Sequence, residues 1–388
     1  METCEVIFLV IALVTAIACS IITVRTLVSY SDLRRGTKIL IALFVVLGWF
    51  APLIIGGLGQ LKFISDTVFA VISFCGFTLF GFVFLLLFML IVRDIIWYAL
   101  YGITKIIGCG SWTFNPKNIS VLARANMITV LATFLLCIYS IYEGVRSPAV
   151  NTLNIKTPLV NRELTIVQLS DLHINRTTPM SRVYNVISKV NGLNPDIIFL
   201  TGDIMDDRVD KIDRQLNALG MLSAPYGIYS VMGNHEYYSG LTGWAYKFRQ
   251  LGFKMLVNRG LMIGNTNVFV SGIPDAGTSV AHPTFSINFE RALKGSSRDN
   301  FRVLLSHNPS LIDNLTSFNY ELMLSGHTHG GQIFPFHWLA KKANTYLSGH
   351  YKVNGIDLYV SNGAGTWGPS MRLLAPSEIT LIKLQPEK

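Results

Sequence analysis

Four long apolar runs, Val6 to Val24, Ile39 to Leu58, Val68 to Val92 and Met127 to Tyr142, crowd into the first part of the chain and restrict what it can fold into. A helix needs ~20 predominantly apolar residues to cross the hydrocarbon core; three runs meet that length and the fourth approaches it. They carry most of the apolar excess of a 388-residue chain that is 51% hydrophobic, 14% charged and has a mean hydropathy of +0.43. Residues 1–142 therefore read as a multi-pass transmembrane helical domain of about four spans. The segment Met1-Glu2-Thr3-Cys4-Glu5 lacks the basic residues of a signal peptide, so the first run reads as a retained helix. Trp97, Tyr98, Tyr101 and Trp112, beside the third run, read as interfacial anchors or a surface-lying helix.

Orientation follows from Lys and Arg near the spans. Arg25, Arg34, Arg35 and Lys38 follow the first run, and Arg93, Lys105, Lys117 and Arg124 follow the third. The opposite side collects only Lys62, Arg146, Lys156 and Arg162. With an even number of spans, this asymmetry predicts that both termini, and the C-terminal domain with them, are extracytoplasmic.

Residues 143–163 turn polar and carry Pro148 and Pro158, which reads as a linker; 164–388 then form the second domain. Apolar runs at Leu164 to Leu169, Ile197 to Thr201 and Gly227 to Met232 alternate with helical stretches at Ser181 to Val190 and near Ile212 to Leu222. That βαβαβ rhythm implies an α/β domain with a largely parallel sheet. All five cysteines, Cys4, Cys19, Cys75, Cys109 and Cys137, precede it, so neither disulfides nor thiolate metal ligands are available there. The formal charge of +9 is spread over both halves without a Lys/Arg cluster interleaved with aromatics, and nucleic acid is not indicated as a partner.

Five polar motifs follow apolar strand-like runs in this second half: Asp171-Leu172-His173, Gly202-Asp203, Gly233-Asn234-His235-Glu236, Ser306-His307 and Gly326-His327-Thr328-His329. Each alone is weak, since Gly-Asp is commonly a turn and a lone His is usually structural. Open α/β sheets bind ligands beyond the carboxyl ends of their strands, so five such ends can converge on one crevice. Carboxylates, imidazoles and one neutral amide make a mixed nitrogen and oxygen set for two adjacent divalent metal ions, with Mn, Fe and Zn the fitting candidates.

The series resembles the calcineurin-like metallophosphoesterase superfamily over about Leu164 to Leu384. The Gly-Asn-His-Glu-Tyr-Tyr and Ser-Gly-His-Thr-His-Gly-Gly-Gln-Ile-Phe-Pro segments, with Arg372, are similar to its membrane-associated branch, typified by the bacterial YkuE and YaeI proteins and an animal transmembrane protein with a metallophosphoesterase domain. The resemblance implies a calcineurin-like α/β/β/α sandwich with two central mixed sheets. It also implies a hydrolase acting on ester bonds. Under it, Asp171, His173, Asp203 and His329 hold one metal, and Asp203 bridges to a second held by Asn234, His307 and His327. His235 matches the catalytic His, and Asp206 the carboxylate that orients it. Two metals ~3.5 to 4 Å apart can clamp phosphate oxygens and acidify a bridging water, and a His near neutrality can protonate the leaving alkoxide.

The expected activity is hydrolysis of a phosphate monoester or diester, with a lipid phosphoester a natural candidate beside a bilayer. The alternative is a catalytically silent module that holds a phosphorylated ligand, which would have no need of His235. Tyr237, Tyr238, Trp367 and Arg372 are candidates for the substrate mouth, Arg372 as a phosphate contact. Glu236 reads as a supporting residue, Asp207 and Asp275 as solvated loop carboxylates. His282, His337 and His350 lie outside the series.

Overall fold

The computed structural model describes residues 2–28, 31, 33–61, 63–108, 115, 118–275, 277 and 286–387. Trp112 and His282 lie outside them. The chain divides into two compact units, Met1–Tyr142 with Gly368–Met371, and Glu143–Trp367 with Arg372–Lys388.

The first unit holds helices α1 (Glu2–Val28), α2 (Arg35–Leu58), α3 (Asp66–Ile106) and α4 (Ile119–Val145), each with a stretch long and apolar enough to cross a membrane. Small and apolar residues, among them Ala16, Val45, Trp49, Val83 and Leu90, pack between helices, while many other apolar side chains face outward, as lipid-facing surfaces do. Of the two readings for the aromatics beside the third run, interfacial anchors or a surface-lying helix, α3 does not form the separate helix of the second. Its 41 residues run unbroken through Trp97, Tyr98 and Tyr101, a length of roughly 60 Å against a hydrocarbon core of ~30 Å. No Pro or Gly breaks it between Val83 and Leu100, so helical propensity carries it onward.

The second unit stacks two six-stranded mixed sheets with helices outside, as the calcineurin-like resemblance implied. One sheet has the order β1-β12-β2-β3-β4-β5, built from β1 (Ala149–Thr157), β2 (Leu164–Leu169), β3 (Ile197–Thr201), β4 (Ile228–Val231), β5 (Lys254–Met255) and β12 (Glu378–Pro386). The other has the order β10-β11-β9-β8-β7-β6, from β6 (Arg259–Met262), β7 (Val268–Gly272), β8 (Phe301–Leu305), β9 (Leu322–Ser325), β10 (Gly349–Val353) and β11 (Ile356–Val360). The central strands are mostly apolar because both faces are buried, with Gln168, Ser230 and Arg302 among the exceptions. Ile197 and Phe199 face the layer between the sheets, with Val303, Leu305 and Leu324. Their neighbours Ile198 and Leu200 face the outer helices, with Val183, Val186, Ile187 and Val190 of α5 (Met180–Gly192). That i, i+3, i+4, i+7 spacing makes α5 amphipathic and fixes the face it buries.

The stretch expected to be a linker is in part a strand. β1 pairs in parallel with β12 over its whole length, burying Leu153, Ile155 and Thr157 while Asn154 and Lys156 face outward. With only two large apolar residues at the buried positions and a Pro just outside each end, its alternation is easily read as a linker.

Candidate metal centre

Every motif lies just beyond a strand: Asp171 after β2, Asp203 after β3, Asn234 after β4, His307 after β8 and His327 after β9. The loops after β2 and β3 run side by side. Asp171 N donates to Gly202 O (3.0 Å), His173 N to Asp203 O (3.1 Å), Ile174 N to Ile204 O (3.0 Å) and Asp206 N to Ile174 O (2.9 Å). This extra ladder brings Asp206 beside His173, 33 residues earlier in the chain.

Glu236, in the short helix Asn234–Tyr238, ties in the third loop. Its Oε2 accepts from Gly233 N (2.8 Å) and Asp203 N (3.0 Å), its Oε1 from Ile204 N (2.6 Å) and Met205 N (3.1 Å). It is fully buried. Burial and the Asp203 carboxylate push it up to about 7, against the amides that favour its charged form. Gly233 must be glycine, since a Cβ there would overlap the Asp203 carboxylate.

Among the described residues three groups could hold a metal: Asp171, His173 and His329; Asp203, His307 and His327; and, between them, His173, Asp203 and His235. His173 Nε2 lies 2.8 Å from His329 Nε2 and 3.9 Å from both Asp171 Oδ1 and Asp203 Oδ2; His329 Nε2 lies 3.5 Å from Asp171 Oδ1. A cation with bonds of about 2.0–2.2 Å separates its ligand atoms by roughly 3 to 3.5 Å, so this cage has the right size. Asp203 Oδ1 accepts from His235 N (2.9 Å), which leaves Oδ2 facing both groups, 3.1 Å from His307 Nε2. Among the described residues, His307 Nε2 and Asn234 Oδ1 are buried without a hydrogen-bond partner, which an ion beside Asp203 would supply.

The imidazole tautomers agree with this. His173 Nδ1 donates to Asp206 Oδ1 (2.6 Å) and His307 Nδ1 to Thr201 O (2.8 Å), which turns each Nε2 lone pair into the crevice. Burial alone would lower His173, but Asp206, with Asp203 and Asp171 behind it, lifts it to about 9. His307 is likewise raised, against burial, by Asp203, which is itself held well below the usual carboxylate range despite its own burial, chiefly by His307. The field that draws protons onto these rings is one that cations would neutralise. His327 and His329 are lowered by burial, and next by His307 and His173 respectively, which keeps both neutral as ligands must be.

His235 stands at the edge. Its Nδ1 donates to Asp206 Oδ1 (2.8 Å), so one carboxylate oxygen holds both His173 and His235. Sequence reasoning assigned Asp206 only to His235; the ladder between loops explains the second contact. Burial would lower His235, and Asp206 and Asp203 raise it. Burial also acts on Asp206, but the two imidazoles bring it down to about 2. The rings of Tyr238 and Trp367 stand edge-on to His235, at 5.7 and 6.2 Å, and both are exposed.

Two residues expected at the mouth are elsewhere. Arg372 is completely buried, and its guanidinium donates to the carbonyls of Gly365 (2.6 Å), Asn362 (2.7 Å), Ala375 (2.8 Å) and His329 (3.3 Å). It braces the backbone around His329, and burial lowers it to about 9. Tyr237 is turned into the protein by the helix Asn234–Tyr238 and buried, leaving the mouth to Tyr238. Asp275, beyond the end of β7, is buried rather than solvated. His350 pairs with Asp357 (2.8 Å) and His337 stacks on Phe334, both apart from the ligand set.

The sequence pattern of calcineurin-like phosphoesterases matches residues 164–331, which span all five motifs. An uncharacterized metallophosphoesterase of Helicobacter pylori is 36% identical over 248 residues, covering 63% of this chain and 66% of that protein. One from Campylobacter jejuni is 32% identical over 282 residues, 71% of this chain and 74% of that protein. A transmembrane protein with metallophosphoesterase domain from Danio rerio is 30% identical over 275 residues, 68% of this chain and 63% of that protein.

Proposed function

The chain belongs to the calcineurin-like phosphoesterase family, and on that premise we propose that it is a membrane-bound hydrolase that cleaves a phosphate monoester or diester at a two-metal centre. The observation that carries this reading is the pair of ligand groups meeting at Asp203 Oδ2. Asp171, His173, Asp203 and His329 would hold one divalent cation, and Asp203, Asn234, His307 and His327 the second. Such a pair supplies Lewis acidity, drawing charge from phosphate oxygens and acidifying water. Mn, Fe and Zn suit the mixed imidazole and carboxylate donors.

The chain's own residues do the rest. Asp206 fixes the His235 ring through Nδ1, so Nε2 is the atom turned to the crevice, 3.9 Å from Asp203 Oδ2. Burial lowers His235, but Asp206 and Asp203 raise it above the ordinary imidazole range, which favours the protonated ring that can donate to the departing alkoxide. Tyr238 and Trp367 flank that leaving-group side.

The four apolar helices support an integral, multi-pass membrane location, and the Lys and Arg distribution supports an extracytoplasmic catalytic domain. A lipid phosphoester is the substrate class this setting favours. The test is hydrolysis of bis-p-nitrophenyl phosphate by purified full-length protein with added Mn. Asp203→Asn should abolish turnover, and His235→Ala should cut it severely with metal retained. Undiminished turnover by Asp203→Asn overturns the reading.

A further inference from the structure

The catalytic domain carries an apolar and basic surface close in sequence to His329. The helix His337–Asn344 buries Ala340 against the domain and exposes Trp338 and Leu339. Phe336 just before it, and Trp367 and Leu374 on the neighbouring segment, are also outward; the five side chains are between 43% and 77% exposed. Hydrogen bonds join the two segments: Phe334 N donates to Leu373 O (3.1 Å), Leu373 N to Gln332 O (2.8 Å), and the Gln332 amide pairs with the Trp367 backbone in both directions (2.8 Å each). His337 stacks on Phe334 at 4.7 Å, and Trp338 meets the same ring edge-on at 5.2 Å, so the helix is fixed on its base. The surface runs to the mouth, since Trp367 also stands edge-on to His235.

Charge follows the same plan. No Asp or Glu occurs between Glu321 and Asp357, and Lys341 and Lys342, both exposed, lie one turn beyond Trp338 and Leu339. Large apolar side chains with Lys one turn away suit the boundary between acyl chains and anionic headgroups, where Trp is favoured and Lys meets phosphate. The chain's own apolar helices tether the domain to a bilayer, so a lipid surface is the occupant to which this face is always close.

We propose that Phe336, Trp338, Leu339, Leu374 and the Lys341-Lys342 pair form a docking face for anionic lipid headgroups, which seats the mouth of the site on the bilayer surface. This docking holds whatever bond the centre cleaves, so its failure would leave the phosphoesterase reading standing.

The test uses the full chain in nanodiscs of phosphatidylcholine with or without phosphatidylserine. A spin label at Leu339→Cys, in a chain whose five native cysteines are replaced by Ala, reports collision with oxygen and with a water-soluble nickel chelate. Retained hydrolysis of bis-p-nitrophenyl phosphate verifies that this chain folds. With phosphatidylserine present, nickel accessibility should fall from that of a label at Lys156→Cys, on the outward face of β1, toward that of one at Leu40→Cys on α2. Lys341→Glu with Lys342→Glu should restore it. Should the cysteine-free chain not fold, brominated lipids in the native chain give the same answer: Trp338→Phe should remove part of the quenchable tryptophan emission. Water-like accessibility in both lipid mixtures, or no change in quenching, overturns the proposal. So does shielding that persists in detergent and rises with protein concentration, which would mark a contact with a second copy.

Discussion

Asp206→Asn separates the two tasks given to one carboxylate oxygen. Asp206 Oδ1 accepts from His173 Nδ1 at 2.6 Å and from His235 Nδ1 at 2.8 Å. Asparagine keeps the shape and an accepting oxygen but removes the charge, so both bonds drop from charge-assisted to neutral. That difference is about 1 to 1.5 kcal/mol per bond, and on the His235 side it weakens the support for the protonated imidazole. Burial lowers His235 and Asp206 raises it; the other carboxylate beside it, Asp203, would be neutralised by bound cations, leaving Asp206 as the remaining support. A proton donor is competent below its pKa and fails as pH rises through it. Asp206→Asn should therefore move the alkaline limb of kcat/KM to lower pH. On the His173 side, a bond weakened by about 1 to 1.5 kcal/mol should lower metal affinity by roughly 5 to 15-fold. Two assays on full-length protein separate the effects: a Mn titration of bis-p-nitrophenyl phosphate hydrolysis at fixed pH, and a pH profile at saturating Mn. Excess Mn should restore occupancy but leave the limb displaced. Full rescue with no displacement would remove His235 as the proton donor, and an unchanged Mn affinity would detach Asp206 from the metal site.

Glu236→Gln should lower the melting temperature of the full-length protein, because an amide cannot accept from all the N–H groups that now bond Glu236. Two buried donors losing their partner, at about 1 to 3 kcal/mol each, give roughly 2 to 6 kcal/mol; an unchanged melt would show that the loops hold without it. Arg372→Lys should lose about 2 to 4 kcal/mol and weaken Mn binding, since an ammonium cannot span the carbonyls of Gly365, Asn362, Ala375 and His329. Wild-type Mn affinity in that variant would confine Arg372 to a purely structural role. An alkaline phosphatase fused after Lys388 should be active, as an extracytoplasmic C-terminus requires, and a cytoplasmic-only signal would reverse the topology.

The positions of the motif residues were legible because the central strands are buried on both faces. Ile197 to Thr201 and Leu322 to Leu324 read as strands from apolarity alone, and the first polar residues after them had to lie at strand ends. What was hidden depends on contacts between distant loops. Nothing in Asp206's own neighbourhood says that it reaches His173, because the ladder beyond β2 and β3 creates that contact. Arg372 looked like a phosphate ligand because a guanidinium suits a phosphate as well as it suits a ring of carbonyls. Only its burial among the turns around His329 decides between them. Asp275 reads as solvated for the same reason, since the loop after β7 is polar whether solvent or protein covers it.

The backbone at the centre carries a cost that the sequence states only indirectly. Asp171, His173, Asp203, His327 and His329 all have φ between 48° and 73°, the left-handed region that costs an ordinary L-residue on the order of 1 kcal/mol. Asp and His tolerate it better than β-branched residues do, which is one reason these loops contain no Val or Ile at those five positions. The turns are held from outside: His327 N donates to Asp171 Oδ1 (3.0 Å), His235 N to Asp203 Oδ1 (2.9 Å), and Glu236 holds the backbone that follows Asp203. Asp203 thus fixes the neighbouring ligand loop with Oδ1 and faces the crevice with Oδ2, while both oxygens of Asp171 accept from His327 N and its Oδ1 also faces His329. The strain and the ligand geometry therefore share their supports, and a change that relaxes one loop reaches the donor atoms of its neighbour.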